Sequence, residues 1–577
     1  MDYPELAART GRFRFGAPHA VTVGGDGARV AFLRSAGPYD PASALWTLTV
    51  ASGAVTRIAD GPIDAYAGSA DLSVLAWARD GHLHCSGIER TATAPVVHPR
   101  PDPTGRAVAY TTPDGTLRVI GEDGEDQLLA GEPGSGVSWG VAEPAAAEFG
   151  RTRGWWWSPD GSRILAVRSA GTVSLHLLDL YGGWVDVHWD RETYPYLVDV
   201  RWSAGNPLIT VLRRSQQHGL VLSVDPRTGE TQVHAELADA RWVEPVRGTP
   251  LLLPDGRVLV GGELAHDGFD ARCLFADGSL LTPPELYVRR VVGVLAGTQE
   301  LIVEGTEGEP AEQHVYAVRT ALGGGGAKSR RLTDEPGWHH ATVGGDVMVV
   351  DHTVRRGSAV LPMPTNVLPL PYAPQPALER VTDRRLPTGV LYPAGHVTGT
   401  RLPVLIEFGA GPGHQQVVVD PARWQERQWW ADAGFVVVSV DTRGTPGVAP
   451  SFEKVVHRRL ADVALTDHID ALHALTGKHP DLDLGRVAVR GTDLGGWLAI
   501  LAVQRRPDVF RCGIAVDPVT DWTALPPAYA ERYLGTSTDN AEIYDHHAAE
   551  PSGTAPLLVS PTGGLSEELR FLTRECA

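Results

Sequence analysis

The stretch that most constrains the fold is Arg486-Val-Ala-Val-Arg490-Gly491-Thr492-Asp493-Leu494-Gly495-Gly496-Trp497-Leu498-Ala499-Ile500-Leu501-Ala502. Its first part is rich in β-branched residues and stops at a glycine. Two more glycines follow closely, and then an apolar run with helical spacing. The pattern predicts a strand, a sharp turn and a helix. The turn is bracketed as G-x-D-x-G-G, with a carboxylate at its tip.

The last 200 residues keep to the same grammar. Val404-Leu-Ile-Glu-Phe408 predicts a buried strand and is followed by Gly409-Ala-Gly-Pro-Gly413. Arg423–Gly434 predicts a helix with three tryptophans, Phe435–Asp441 a strand, Leu460–Leu475 a helix and Cys512–Asp517 a further strand. Fully apolar strands alternating with helices predict a doubly wound, mostly parallel sheet over residues 371–577.

The earlier part of the chain reads differently. Asp-Gly pairs recur at 26–27, 80–81, 114–115, 160–161, 255–256 and 277–278, flanked by alternating apolar residues. Such pairs signal β-hairpins. Trp157-Ser-Pro-Asp-Gly-Ser-Arg-Ile-Leu-Ala-Val resembles Trp202-Ser-Ala-Gly-Asn-Pro-Leu-Ile-Thr-Val, 45 residues on. A period of this size in an all-β segment predicts a β-propeller of seven or eight blades over residues 20–370; a long array of sandwiches is the alternative. The Ala-rich segment Ser138–Gly150 interrupts the strand rhythm as a short helical insertion. A proline-rich passage from Leu361 to Pro376 leads into the second domain. Residues 1–19 are expected to pack on that domain.

With 577 residues, two or more domains are required. The formal net charge of −18 argues against nucleic acid as a partner. Four scattered cysteines lack metal spacing and are too few for a disulfide framework. The N-terminus shows neither a basic start nor an apolar stretch, and no apolar run is long enough for a membrane span. The expectation is a cytoplasmic protein without a membrane partner. No glycine-rich phosphate loop or His/Cys cluster is present, so no cofactor or metal is expected.

Taken in order, the propeller, the Trp139–Gly161 segment, Asp441-Thr-Arg-Gly444-Thr-Pro-Gly447, the 491–496 turn, and Pro518-Val-Thr-Asp-Trp522 through Tyr529-Ala-Glu-Arg532-Tyr533-Leu-Gly535 resemble the prolyl oligopeptidase / dipeptidyl peptidase IV family of serine peptidases. The resemblance implies an α/β-hydrolase domain seated on the propeller, with the site in the cavity between them. The 491–496 turn is then the nucleophile elbow, which in α/β-hydrolases lifts a strained serine above the sheet.

Several family residues are replaced. The serine falls on Asp493. The oxyanion tyrosine falls on Gly409, and the paired glutamates that hold a substrate amine fall on Glu148 and Phe149. The strand that precedes the family's Asp and His begins at Ala555-Pro-Leu-Leu-Val-Ser560, and the sequence then runs directly into Glu568–Cys576, which resembles the family's terminal helix. The segment carrying those two residues is expected to be deleted. Val519, Trp522 and Tyr529 match the apolar first-subsite wall, Leu525 replaces a tyrosine, and Leu494 adjoins the elbow.

Asp493 reads in two ways: as a carboxylate nucleophile or acid–base group, or as a good helix N-cap in place of a lost serine. Asp517, at the end of the next strand, is a second added carboxylate. The two acids can border one cavity and share a proton between them; equally, Asp517 can serve only the local backbone. His414 is the histidine nearest the elbow by topology; His546-His547 and His457 are weaker candidates for a base. Two classes of function follow. One is a repurposed enzyme acting on a small molecule by cyclisation, elimination or isomerisation, as in biosynthesis. The other is a pseudo-peptidase that binds a peptide or protein, with residual prolyl peptidase or other hydrolase activity as a lesser alternative. The family resemblance also allows a homodimer through the hydrolase domain.

Overall fold

The computed structural model describes residues 2–265, 268–320, 327–409, 411–553 and 555–576. Among these, eight antiparallel sheets follow one another between His19 and Pro362. First strands touch between the second and third, the seventh and eighth, and the eighth and first sheets, so the sheets stand around an axis as an eight-bladed propeller. The ring closes through a shared core in which Val23, Val30 and Phe32 of the first blade meet Val347, Val349 and Val354 of the eighth. Of the Asp-Gly pairs, 80–81 and 277–278 have both residues at positive φ and join strands directly. That is the backbone a tight two-residue hairpin requires. Trp157 and Trp202 stand in successive blades, so the 45-residue interval is one blade.

The second domain is a seven-stranded sheet. Its spatial order is Ala377–Val381, Leu386–Leu391, Val436–Val440, Leu402–Phe408, Leu482–Thr492, Cys512–Val516 and Leu557–Ser560. The first three strands pair antiparallel in succession, and the remaining four pairings are parallel. Alternation along the strands sorts the core into two layers. Val404, Ile406, Val436, Val438 and Val487 face the helices Leu460–Leu475 and Leu494–Arg505. Leu405, Val437, Ala488 and Ile514 face Trp430 and the helix Leu565–Cys576. That last contact brings the Cys512 and Cys576 sulfurs within 3.0 Å, a juxtaposition invisible in residues 64 positions apart. Near the N-terminus, Tyr3, Ala7 and Phe13 pack with Trp429 and Leu565 of this domain, and Arg12 pairs with Glu426 at 3.0 Å.

Charged contacts join the two domains. Arg272 of the propeller donates to Glu453 at 2.8 Å, Lys454 reaches Asp239 and Glu263 at 2.8 and 2.6 Å, and Arg214 donates to Glu531 at 2.8 Å. Gln216 accepts from Arg532 at 2.9 Å. The members of the Arg272–Glu453 pair are both buried, so removing either leaves an uncompensated charge away from water. The short helices Pro450–Lys454 and Pro527–Leu534 are thereby fixed against the propeller. No helix among the described residues is long and apolar enough to cross a membrane.

Two histidines in the core of the second domain set an acid limit. His547 is fully buried; its Nδ1 lies 2.7 Å from the Ile543 carbonyl and its Nε2 accepts from the Ala461 N–H at 3.3 Å. Both nitrogens suit the neutral ring, and burial pushes its pKa down to about 4, as it does for His468. A histidine depressed on folding contributes stability that is fully present above its unfolded pKa near 6.5 and is lost as pH falls toward 4. The loss per histidine is on the order of 3 kcal/mol. The urea midpoint is expected to fall steeply between pH 6.5 and 4. His547→Gln should start about 1–2 kcal/mol less stable at pH 7.5 yet fall less over that interval; an unchanged slope would exclude His547 as a cause.

Candidate active site

The sequence requires an unusually tight turn at the end of the strand Leu482–Thr492. A Cβ on Gly491 would lie 2.1 Å from the Gly495 carbonyl oxygen, and one on Gly495 would lie 2.6 Å from that of Gly409. On Gly496 it would press on Pro518 at 3.1 Å. The three glycines therefore let the helix start directly over two neighbouring strands. The residue at the tip has no such relief: Asp493 stands at φ 57° and ψ −120°, outside the regions that non-glycine residues normally occupy. Its side chain makes no capping hydrogen bond to the helix. The hydrogen bond that the N-cap explanation for Asp493 requires is therefore not made.

The neighbouring strand ends alike. Thr492 and Val516 are register partners, so Asp493 and Asp517 follow them side by side, and Asp517 also has positive φ, 44°. The Asp493 N–H donates to the Val516 carbonyl at 3.0 Å, and the Asp517 N–H to that of Ser560 at 2.8 Å. Both residues are exposed. Partial burial and the Asp517 charge push the Asp493 carboxyl above the usual carboxylate range, while His414 and the Leu494 N–H pull it back. The sequence-predicted trio of Asp493, Asp517 and His414 is therefore brought to one place.

His414 rides on the loop after the strand Leu402–Phe408. Asp441 anchors this loop by accepting the Gln416 and Val417 N–H groups at 2.9 and 3.1 Å, and burial pushes the Asp441 carboxyl up to about 6. A Cβ on Gly409 would meet only the Gln416 side chain, at 3.6 Å. Packing at that first atom does not demand glycine, so the missing side chain leaves open space. A small pocket there is bordered by Gly409, His414, Leu494 and Trp497. Ala410 of this loop lies outside the described residues.

Above lies a cavity of about 560 Å³ between the two domains, lined among others by Glu148, Trp338, His340, His414, Tyr529 and Arg532. Glu148 comes from the short helix Pro144–Glu148 that the propeller inserts toward the helix Pro527–Leu534. Burial raises its carboxyl, and the Arg532 charge opposes that. Phe149 turns aside, packing 5.8 Å from Tyr196 with the Arg532 guanidinium 5.5 Å from its ring centre. Tyr529 is the wall residue that faces the cavity, its hydroxyl donating to Pro412 O at 3.5 Å. Trp522, only 1% exposed, stacks behind Tyr529 at 6.3 Å and meets Trp497 edge-on at 5.3 Å. Val519 and Leu525 are half-buried against the sheet core.

Of the weaker histidine candidates, His547 is enclosed in the core, His546 pairs with Asp462 at 2.9 Å and His457 leans on Trp242 at 6.2 Å. None of these lines the cavity, and neither do Asp493 and Asp517; of the predicted trio it is His414 that reaches the lining. Sequence reasoning missed Arg532, which sits three residues, or one helical turn, beyond Tyr529 and was legible from that spacing. It also missed Trp338 and His340, for which the eighth blade gives no local signal. Among the described residues, no group of three or more His, Cys, Asp or Glu could hold a metal ion.

A family model for the prolyl oligopeptidase family matches residues 422–557, and one for the dipeptidyl peptidase IV (DPP IV) N-terminal region matches residues 166–352. The chain is 30% identical over 167 residues to dipeptidyl peptidase family member 2 of Caenorhabditis elegans, covering 28% of this chain and 20% of that protein. It is 31% identical over 162 residues to human dipeptidyl peptidase 8, covering 27% and 18%. It is 25% identical over 422 residues to a probable dipeptidyl-aminopeptidase B of Aspergillus oryzae, covering 65% and 45%. The matched stretches thus span less than half the length of these relatives. The crystal structure of Porphyromonas gingivalis dipeptidyl peptidase 4 superposes with a TM-score of 0.77 at 19% identity, covering 100% of this chain and 94% of that chain.

The elbow makes a stability prediction. Backbone strain of the kind seen at Asp493 costs about 1–3 kcal/mol, more than the roughly 0.5–1 kcal/mol of added unfolded-state entropy that glycine brings. Asp493→Gly is expected to raise stability by about 1 kcal/mol. Asp493→Asn should also stabilise, but selectively. A carboxyl raised on folding contributes stability that is intact below its unfolded pKa and lost as pH rises through its folded value. The gain should therefore be present at pH 7 and absent near pH 4. Thermal melts of both variants at the two pH values check this, and an equal Asp493→Asn gain at both would exclude carboxylate repulsion.

Proposed function

Because the chain belongs to the prolyl oligopeptidase / dipeptidyl peptidase IV family, we propose that it uses the interdomain cavity for acid–base chemistry on a small molecule rather than for serine-dependent peptide cleavage. A serine triad needs a hydroxyl nucleophile, an imidazole base and an orienting carboxylate. Position 493 offers a carboxylate, and the resemblance finds no histidine at the family's base position. Losing one triad member already costs orders of magnitude in rate.

The observation that carries the reading is the side-by-side placement of Asp493 and Asp517 at two strand ends. The Asp493 carboxyl is raised in part by the Asp517 charge. A carboxyl raised in this way is better matched to proton transfer near neutral pH. Glu148, raised by burial and facing Arg532, supplies a carboxylate for an amine on the ligand, and Tyr529 an aromatic wall. Cyclisation, elimination and isomerisation need only such proton transfers. In a dipeptide ester, for instance, one carboxylate takes a proton from the attacking amine. The other carboxyl returns one to the departing alkoxide as the ring amide forms. A second reading, a pseudo-peptidase that binds an amine-bearing peptide without turnover, is favoured by the exposure of both aspartates.

The protein is expected neither to release p-nitroaniline from Ala-Pro-p-nitroanilide nor to bind a fluorophosphonate covalently, and Asp493→Ser should remain unlabelled. Stoichiometric labelling of the wild type would overturn the loss of serine chemistry. Ala-Pro and Gly-Pro methyl esters, followed by mass spectrometry for the cyclic dipeptide, probe the acid–base reading. Turnover should fall at least about 100-fold in Asp493→Asn and in Asp517→Asn while binding of the free dipeptides is kept. Binding that depends on Glu148, with no ester turnover above buffer, selects the pseudo-peptidase.

A further inference from the structure

The propeller holds a second cavity, of about 330 Å³, that shares no lining residue with the interdomain one. Arg100, Arg151, Arg153 and Arg201 border it, together with Thr152, Trp156 and Asp199. Arg100 lies on Val97–Pro101 and Arg201 on Tyr196–Arg201, the first strands of the third and fifth blades; Arg153 lies just before Trp155–Trp157 of the fourth. Three consecutive blades thus send guanidinium groups to one hollow near the propeller axis.

Their charges are not balanced. Arg151 is paired with the buried Glu143, and Arg201 with Asp199 at 3.0 Å. Four guanidinium groups against these two carboxylates leave a local charge of two. Arg100 and Arg153 form no ion pair among the described residues. The Arg153 guanidinium rests 5.5 Å from the Trp156 ring centre, and the Nε atoms of Arg100 and Arg151 are buried with no hydrogen-bond partner among the described residues. Burial and the neighbouring Arg100 and Arg201 charges push Arg153 down to about 9. A chain with net charge −18 has ample carboxylates to neutralise such a cluster, yet this one keeps buried donors without partners among the described residues.

Guanidinium forks suit phosphate and carboxylate, which they bind through paired N–H donors. We infer that this cavity is a binding site for a small molecule bearing a multiply charged oxyanion group, held by Arg100 and Arg153 with Arg201 beside them. The site stands independently of the chemistry proposed for the interdomain cavity.

Calorimetric titration and thermal melts of the whole protein with pyrophosphate and with citrate, at constant ionic strength set by sodium chloride, test it. At least one of the two should bind saturably and raise Tm. Pyrophosphate alone identifies a phosphate ligand and citrate alone a carboxylate one; either outcome supports the site. Arg153→Gln and Arg100→Gln should each weaken binding at least 10-fold, and Arg153→Gln should raise Tm in anion-free buffer by removing repulsion. Should a glutamine variant fail to fold, Arg153→Lys and Arg100→Lys decide, since they keep the charge but lose the fork and should weaken binding at least threefold. Saturation by neither anion at millimolar concentration, or variants that bind as tightly as the wild type, would overturn the inference.

Discussion

Backbone crowding at the turn between the strand Leu482–Thr492 and the helix Leu494–Arg505 governs this molecule. Gly495 approaches the Phe408 and Gly409 carbonyls so closely that a Cβ would lie 2.8 and 2.6 Å from them. The helix can begin there only because residues 491, 495 and 496 have no side chains. The crowding forces the tip residue out of ordinary backbone space, whatever it is. A serine or an aspartate at position 493 is lifted by the same geometry. Strain persists only where surrounding structure over-determines it, and here the scaffold supplies that over-determination through glycine contacts that do not involve the tip side chain.

The same constraint sets the electrostatics. Parallel pairing of Thr492 with Val516 places the next residue of each strand at the same sheet edge, which is where α/β proteins gather their ligands. Two aspartates at such positions influence each other whether or not either has a partner elsewhere. The propeller then limits what reaches them. Its contacts through Arg272, Lys454 and Arg214 hold the helices Pro450–Lys454 and Pro527–Leu534 in place. Tyr529 and Arg532 consequently keep their positions opposite Glu148. Charge is distributed unevenly within the propeller: an overall acidic chain gathers four arginines at one hollow.

What the sequence determined by itself is local. Strand, turn and helix at 486–502, the Asp-Gly hairpins and the 45-residue blade interval follow from spacing and from glycine's backbone freedom, because those signals act over a few residues. Asp493, Asp517 and His414 could be nominated because each stands at a strand end or in a loop beside one, and topology brings such ends together. Other relations depend on distant segments meeting, and no local pattern encodes them. The approach of Cys512 to Cys576, the entry of Trp338 and His340 into the cavity and the gathering of Arg100, Arg153 and Arg201 are of this kind. So is the turning aside of Phe149 next to a cavity-facing Glu148, which the arrangement of the helix Pro144–Glu148 against Tyr196 and Arg532 decides. The identity of the residue at the elbow was plain in the chain; that it stays strained and uncapped was decided by the packing of three glycines against strands far away in sequence.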